Sequence, residues 1–250
     1  MKVYDDLAVI ILAAGKGTRM KSDLAKVLHQ VCGKSMVVHV IESAREVAGD
    51  NIRVVIGHQA EQVKKEVSQY ADVSFAVQKE LLGTGDAVKA ALPGLGENIT
   101  HVLVLCGDVP LIRAETLNSL VKGHIESQAS VTVLAVDLDS PTGYGRIIKS
   151  DDGRLTGIRE EADASDEEKE IQKVNTGIYC FNRQLLESAI SEIEPDNNQQ
   201  EYYLTDVIAI AHSNGDEIAE ITMDDPNQVI GVNTLQELEK VNRMCLDSGL

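Results

Sequence analysis

Positive charge is scarce in this chain. Its 250 residues carry 23 Lys and Arg against 40 Asp and Glu, a formal net charge of -17. Such a surface is a poor match to bulk nucleic acid, which is held by clustered cations that displace counterions from phosphates. An acidic shell also repels anionic membranes. An anionic ligand would therefore need a local basic exception. Cysteine is sparse as well: Cys32, Cys106, Cys180 and Cys245 are scattered, with no Cys-x-x-Cys pair. That argues against a zinc knuckle or a thioredoxin-like motif and points to a reducing compartment, the cytoplasm. Long hydrophobic runs are missing too. The apolar stretch Leu7 to Ala14 is too short to span a bilayer, and Asp5 and Asp6 stand where a secretory signal would be positive, so no targeting segment is expected. The sequence contains no internal repeat, no His-Glu-x-x-His zinc motif and no Gly-x-Ser-x-Gly nucleophile elbow.

What is present reads as a soluble α/β chain. Hydrophobic residues make up 43% and charged residues 25%, and a chain of this length buries roughly 70% of its unfolded surface, enough to fold without a metal or disulfide staple. β-like runs at Leu7–Leu12, Arg53–Ile56, Val73–Val77, Val102–Cys106 and Val131–Val136 alternate with helix-like stretches at 35–47, 60–70, 84–92 and 114–125. This rhythm predicts a mostly parallel sheet with helices on both faces. After Asp137 the pattern changes to short β pieces through Arg159 and a charged, exposed loop at 160–170. A strand follows at Val174–Phe181, then helices near 183–193 and 203–211, and a strand at 217–222. Thr234 caps a last helix, with Glu237 at the capping-box position.

The basic exception lies directly after the first strand. Leu12-Ala13-Ala14-Gly15-Lys16-Gly17-Thr18-Arg19-Met20 is a loop of small residues whose exposed N–H groups can cradle an anion. It is not a P-loop, because its glycines are wrongly spaced. Nor is it a dinucleotide fingerprint, because Met20 takes the place of the third glycine. Lys16, Arg19, Lys21 and Lys26 crowd residues 16–26, with Asp23 the only acid among them. Arg offers a planar fork and Lys a point charge, so they can divide work on adjacent phosphates.

Further candidates lie at other strand ends. Asp108, in Gly107-Asp108-Val109-Pro110 after the fourth strand, can hold Mg²⁺ or close a turn. Gly83-Thr84-Gly85-Asp86 opens a helix whose N–H groups can bind a base or a sugar edge, with Asp86 also suited to simple first-turn stabilisation. Gln78 carries both a donor and an acceptor, which suits a pyrimidine edge. Gly143-Tyr144-Gly145-Arg146 is either a sugar-facing backbone or a hairpin. Glu160 and Asn175 are candidate sugar-hydroxyl partners, and Asn233 is either a second oxygen ligand for metal or an ordinary residue before a helix.

Together these segments resemble bacterial N-acetylglucosamine-1-phosphate uridylyltransferase, the N-terminal half of a bifunctional enzyme whose C-terminal half is a β-helix acetyltransferase. The resemblance rests on Leu12 to Met20 with Lys26-Val27-Leu28-His29, and continues through Gln78, residues 82–87, 107–111, 141–147, 174–177, 202–206 and 231–233. It implies a Rossmann-like three-layer nucleotide-diphospho-sugar transferase fold with a mostly parallel mixed sheet. It also implies a single domain: a nucleotide-binding part (1–112), a sugar-binding part (113–233) and a C-terminal helix (234–250). Leu12, Ala13, Ala14, Gly15, Gln78, Gly83 and Thr84 would bind the nucleotide. Arg19 and Lys26 would contact phosphates as catalytic residues. Asp108 and Asn233 would hold Mg²⁺, and Thr84, Gly145, Glu160 and Asn175 would line the sugar pocket.

The implied partners are UTP and a sugar 1-phosphate, with no nucleic acid or membrane, and a monomer or dimer. Three positions depart from the family pattern. Ala25 stands where Pro is usual, implying a more mobile loop; Asp86 stands where His is usual; Cys106 stands where Tyr is common. The last two bear on the sugar more than on the chemistry. Other readings are the same reaction with another sugar or base, such as glucose 1-phosphate or a cytidylyl donor, and a non-catalytic nucleotide-sugar binding protein.

Overall fold

The computed structural model describes residues 2–248. A central sheet is built from β1 (Leu7–Ala13), β4 (Ile52–Ile56), β5 (Ser74–Val77), β6 (His101–Cys106), β7 (Val131–Asp137), β8 (Arg146–Lys149), β9 (Leu155–Arg159), β10 (Lys173–Asn182) and β11 (Ile218–Met223). Its order is β11-β7-β10-β6-β1-β4-β5, with the β8–β9 hairpin attached beside β10. β6, β1, β4 and β5 run parallel, as do β7 and β11. β10 is antiparallel to both β6 and β7. Because of that reversal, the start of β10 lies at the sheet edge where β1 and β6 end. The sheet is thus mixed and mostly parallel.

The period-2 alternation of a strand sends successive side chains to opposite faces. In β1, Leu7, Val9, Ile11 and Ala13 join one apolar cluster, with Val37, Val40 and Ile41 of α1 (Met36–Ala48), Val63 of α2 (Ala60–Val67) and Leu117 and Leu120 of α4 (Ala114–Ser127). Ala8 and Ile10 join the other, with Ala87 and Val88 of α3 (Thr84–Ala91), Leu186 of α6 (Arg183–Ala189) and Val207 and Ile208 of α7 (Asp206–Asn214). Three layers result, helix on sheet on helix. Strand runs such as Leu7–Ala13 are apolar throughout because both faces are covered.

Several details differ from the sequence reading. Residues 160–170 are not a plain exposed loop. They contain α5 (Asp166–Lys169), closed by a capping box in which the Ser165 hydroxyl accepts from the Glu168 N–H and the Glu168 carboxylate accepts from the Ser165 N–H. The Ser-x-x-Glu signal was present but hidden in a run of acids. A small hairpin of β2 (Gln30–Val31) and β3 (Lys34–Ser35), too short for periodicity to reveal, precedes α1. The scattered cysteines are not all separate: Cys32 beside this hairpin and Cys245 of α8 (Leu235–Ser248) form a disulfide, their Cα atoms 6.4 Å apart. Distance along the chain gave no hint of this, because α8 folds back onto β2 across the whole sequence. Met20, Val31, Met36, Leu111, Val232, Val241 and Cys245 form a third apolar cluster beneath that contact.

The region between β6, α4 and β7 holds a buried polar pair. His124 is fully buried; its Nδ1 lies 2.9 Å from Thr132 Oγ1 and its Nε2 3.2 Å from His101 Nδ1. Burial, reinforced by His101, pushes its pKa down to about 4. Between pH 6.5 and 4 the unfolded chain then binds a proton at this site that the folded chain refuses, so stability falls as pH falls through that window. We expect thermal melts to show His124→Gln losing less melting temperature than the parent chain between pH 7 and pH 5. Parallel pH curves would show that folding does not change how His124 titrates.

Candidate active site

The parallel strands deliver their carboxyl ends to one edge, where ligands of open α/β sheets bind. A cavity of about 480 Å³ opens there, lined among others by Leu12, Ala13, Ala14, Gly15, Lys16, Gly17, Lys26, Gln78, Gly83, Thr84 and Asp108. A second, of about 190 Å³, is lined by Thr84, Gly145, Glu160, Asn175 and Gly177, and shares Leu12, Thr84 and Cys106 with the first. The residues named from sequence for the nucleotide thus surround the larger cavity, and those named for the sugar surround the smaller. Arg19 and Asn233 line neither cavity; they reach the site through hydrogen bonds.

Those bonds centre on Lys26. Its Nζ is paired with the Asp108 carboxylate and donates to Asn233 Oδ1 at 3.0 Å, while Arg19 donates to the same Oδ1 at 2.8 Å. Asn233 Nδ2 donates to the Gly231 carbonyl at 3.2 Å, which turns its oxygen toward the two cations. The Val232 N–H donates to the Asp108 carbonyl at 2.9 Å, tying the two oxygen-bearing segments together through the backbone. Glu237 completes the capping box expected from sequence, accepting from the Asn233 and Thr234 N–H groups at 2.8 Å each while the Thr234 hydroxyl accepts from the Glu237 N–H. Two hard oxygen ligands, one carboxylate and one amide, converge here on a single cation. That donor set suits Mg²⁺, which takes one or two protein oxygens and completes its shell with water and substrate phosphates.

The loop from Gly15 to Lys26 is held from below and behind. Met20 is buried in the third cluster, anchoring Arg19 beside Asn233. Gly17 has φ +63, and a Cβ there would lie 2.5 Å from the Lys26 Cβ, so only glycine lets the loop close against that lysine. Of the four loop cations, Lys16 and Lys26 line the cavity and Arg19 joins through Asn233; Lys21, at φ 50, closes a 3₁₀ turn instead.

Sequence reading missed Gln59. Its Oε1 accepts from the Ala25 N–H at 2.7 Å and its Nε2 donates to the Asp23 carbonyl, which pins the segment just before Lys26. Ala25 is buried and bonded, so the mobility expected from its replacing Pro is corrected: the N–H that Pro lacks is the one Gln59 uses. The signal available was position, since Gly57-His58-Gln59 follows β4 at the same sheet edge.

On the opposite wall, residues 202–204 close over the helix start. Tyr202 N–H donates to the Leu82 carbonyl and Gly85 N–H to the Tyr202 carbonyl, both at 2.7 Å, and Leu204 N–H donates to Thr84 Oγ1 at 3.0 Å. Gly83 sits at φ +116 with Tyr202 backbone 2.6 Å from where a Cβ would be, a place no other residue fits. In the smaller cavity Asn175 Nδ2 donates to the Tyr179 hydroxyl at 2.6 Å and its Oδ1 accepts from Gly177 N–H at 3.0 Å. Glu160 accepts from the Thr205 hydroxyl at 3.1 Å, and burial raises its pKa. Arg146, read as part of a sugar-facing loop or hairpin, is fully buried and braces that wall through Glu161 at 2.8 Å and the Tyr144 carbonyl. The Cys106 thiol, pushed up to about 12 by burial and then by Asp108, stays protonated and is no nucleophile at neutral pH.

The Gln59 clamp is testable by hydrogen exchange. Two net hydrogen bonds are worth about 1–3 kcal/mol, so Gln59→Ala is expected to speed exchange of the Ala25 amide by roughly tenfold or more. Unchanged exchange would mean the clamp does not hold the loop.

Comparison with known proteins agrees with this geometry. The sequence pattern of the nucleotidyl transferase family matches residues 8–228. The chain is 46% identical over 240 residues to the bifunctional protein GlmU of Geobacter metallireducens, covering 96% of this chain and 50% of that protein. It is 41% identical over 254 residues to the bifunctional protein GlmU of Bacillus subtilis strain 168, covering 98% and 55%. The chain thus spans about half the length of the curated relatives it matches. A crystal structure from Bacillus anthracis, of a protein assigned as a glucose-1-phosphate thymidylyltransferase and holding sucrose, superposes with a TM-score of 0.74 at 20% identity, covering 96% of both chains. That likeness concerns the fold alone. With a family match over most of its length and relatives above 40% identity across nearly all of it, this chain belongs to the nucleotidyl transferase family.

Proposed function

We propose that the chain transfers a uridylyl group from UTP to N-acetylglucosamine 1-phosphate, releasing pyrophosphate. The observation that carries this reading is the pair of adjoining cavities that share Leu12, Thr84 and Cys106, with Lys26 and Asp108 in the wall of the larger. Two reactants need two neighbouring sites and a concentration of positive charge, and in a chain of net charge -17 this is where the cations gather. The kinship with GlmU proteins over nearly the whole chain supports the same substrates.

In this reading an oxygen of the sugar phosphate attacks the α-phosphorus of UTP. The new P–O bond forms as the bond to the pyrophosphate oxygen breaks in line. A phosphate oxygen is already nucleophilic, so the protein needs no general base. Its contribution is positioning and charge stabilisation. The Gly15–Gly17 backbone and Lys16 cradle the triphosphate, and Lys26 and Arg19 neutralise charge as it shifts. Asp108 and Asn233 would hold Mg²⁺, which would supply charge neutralisation on the phosphates. Gly145, Glu160 and Asn175 face the sugar. The substrates are soluble phosphates of the cell interior, so we place the reaction in the cytoplasm.

The test is pyrophosphate release with UTP and N-acetylglucosamine 1-phosphate, with and without Mg²⁺. Removing one preorganised charge contact costs on the order of a hundredfold in rate. Asp108→Ala is expected to lose at least that much turnover while keeping the parent's circular dichroism. Full activity in the variant would remove Asp108 from the mechanism. Turnover only with glucose 1-phosphate, or UTP binding with no turnover, would replace the proposed substrate or the proposed enzyme respectively.

A further inference from the structure

From the sequence, Asp86 reads as a first-turn residue and as a departure from the resembling family that bears on the sugar. The structure gives it a partner. Gln78, at the end of β5, is buried, and its Nε2 donates to Asp86 Oδ2 at 2.8 Å and to the Gly83 carbonyl at 3.0 Å. A primary amide has two N–H groups, and both are used. Among the described residues no donor is bonded to Gln78 Oε1, and Gln78 lines the larger cavity. The oxygen is therefore the atom this side chain has left for a ligand.

The orientation follows from the chemistry of the neighbours. A carboxylate only accepts hydrogen bonds, and so does a backbone carbonyl. Turning the Gln78 amide over would set its oxygen against both acceptors and strand its N–H groups in the cavity. Asp86, standing where relatives of the resembling family usually have His, thus allows one amide orientation.

We propose that Asp86 is a positioning residue for base selection: it locks Gln78 with its oxygen toward the nucleotide, so that the site takes a pyrimidine carrying a hydrogen on N3, uracil or thymine, and rejects cytosine. This rests on the uridylyl-transfer reading above. Uracil N3–H donates to Gln78 Oε1. Cytosine N3 is an acceptor, so two lone pairs would face each other against a side chain that is itself buried. The bland role of Asp86, stabilising the first turn of α3 through the helix dipole, makes no statement about the base.

The experiment compares kcat/KM for UTP and CTP at saturating sugar phosphate in the parent chain, Asp86→Asn, Asp86→Ala, Gln78→Leu and the Gln78→Leu/Asp86→Asn double variant. In Asp86→Asn the new amide can donate to a turned Gln78, so the UTP:CTP ratio should fall about 10- to 100-fold, the range of one unmet buried hydrogen bond. Asp86→Ala should lower it as well. In the Gln78→Leu background Asp86→Asn should leave the ratio unchanged, since the residue acts only through Gln78. A ratio within twofold of the parent in both single variants, or a full further drop in the double variant, would overturn the proposal.

Calorimetric binding of UTP and CTP to the same proteins separates this from the proposed reaction. Strong UTP preference without turnover would sink the enzyme reading and leave Asp86 to be judged on binding. The parent chain provides a check that needs no variant to fold: 3-methyluridine 5′-triphosphate, lacking the N3 hydrogen, should bind at least about tenfold more weakly than UTP. Equal binding would refute the role of the Gln78 oxygen.

Discussion

One ammonium group organises this sheet edge. Lys26 Nζ is held between the Asp108 carboxylate and the Asn233 amide oxygen, and Arg19 leans on the same amide. These residues come from three distant stretches of chain: a loop after β1, the end of β6 and the segment before α8. Each is fixed by something other than the ion pair. Gln59 pins the backbone before Lys26, the Val232–Asp108 backbone bond ties the second and third stretches, and Glu237 caps the helix that carries Asn233 into place. Charges arranged before a ligand arrives need no reorganisation when it does, which is the condition under which electrostatics accelerates phosphoryl chemistry most.

The overall acidity of the chain gives that cluster its meaning. At net charge -17, the protein repels polyanions almost everywhere. Lys16, Lys26 and Arg19 make a local reversal where strands end and backbone N–H groups point outward. The half-buried Lys26–Asp108 pair also explains how cations can be stored there without a ligand. Each charge has a partner, so neither bears the full cost of leaving water.

The two walls of the cleft are built differently. Around the larger cavity the packing is close; Gly17 and Gly83 sit where a methyl group would collide with Lys26 or Tyr202. Around the smaller cavity, polar side chains are braced by one another, with Arg146 buried under Glu161 and the Tyr144 carbonyl, and Asn175 engaged by Tyr179 and Gly177. The shared residues Leu12, Thr84 and Cys106 belong to both cavities, so a change at any of them reaches both.

Fold class, strand sequence, the capping box at Thr234 and the small-residue loop could all be read from the chain alone, because each depends on local spacing: alternation in strands, a Ser/Thr-x-x-Glu start, glycines between cations. Acidic density hid α5, although Ser165 and Glu168 carried the same local signal. What only the tertiary structure decided are relations between residues far apart. They include the antiparallel turn of β10 that brings Asn175 to the active edge, the Cys32–Cys245 pair, the Gln59 clamp that stands in for a proline, and the choice of Asp86 as partner for Gln78. Spacing along a chain fixes which face a side chain takes within one element. Which atom it meets from another element depends on how whole layers pack, and no local pattern carries that.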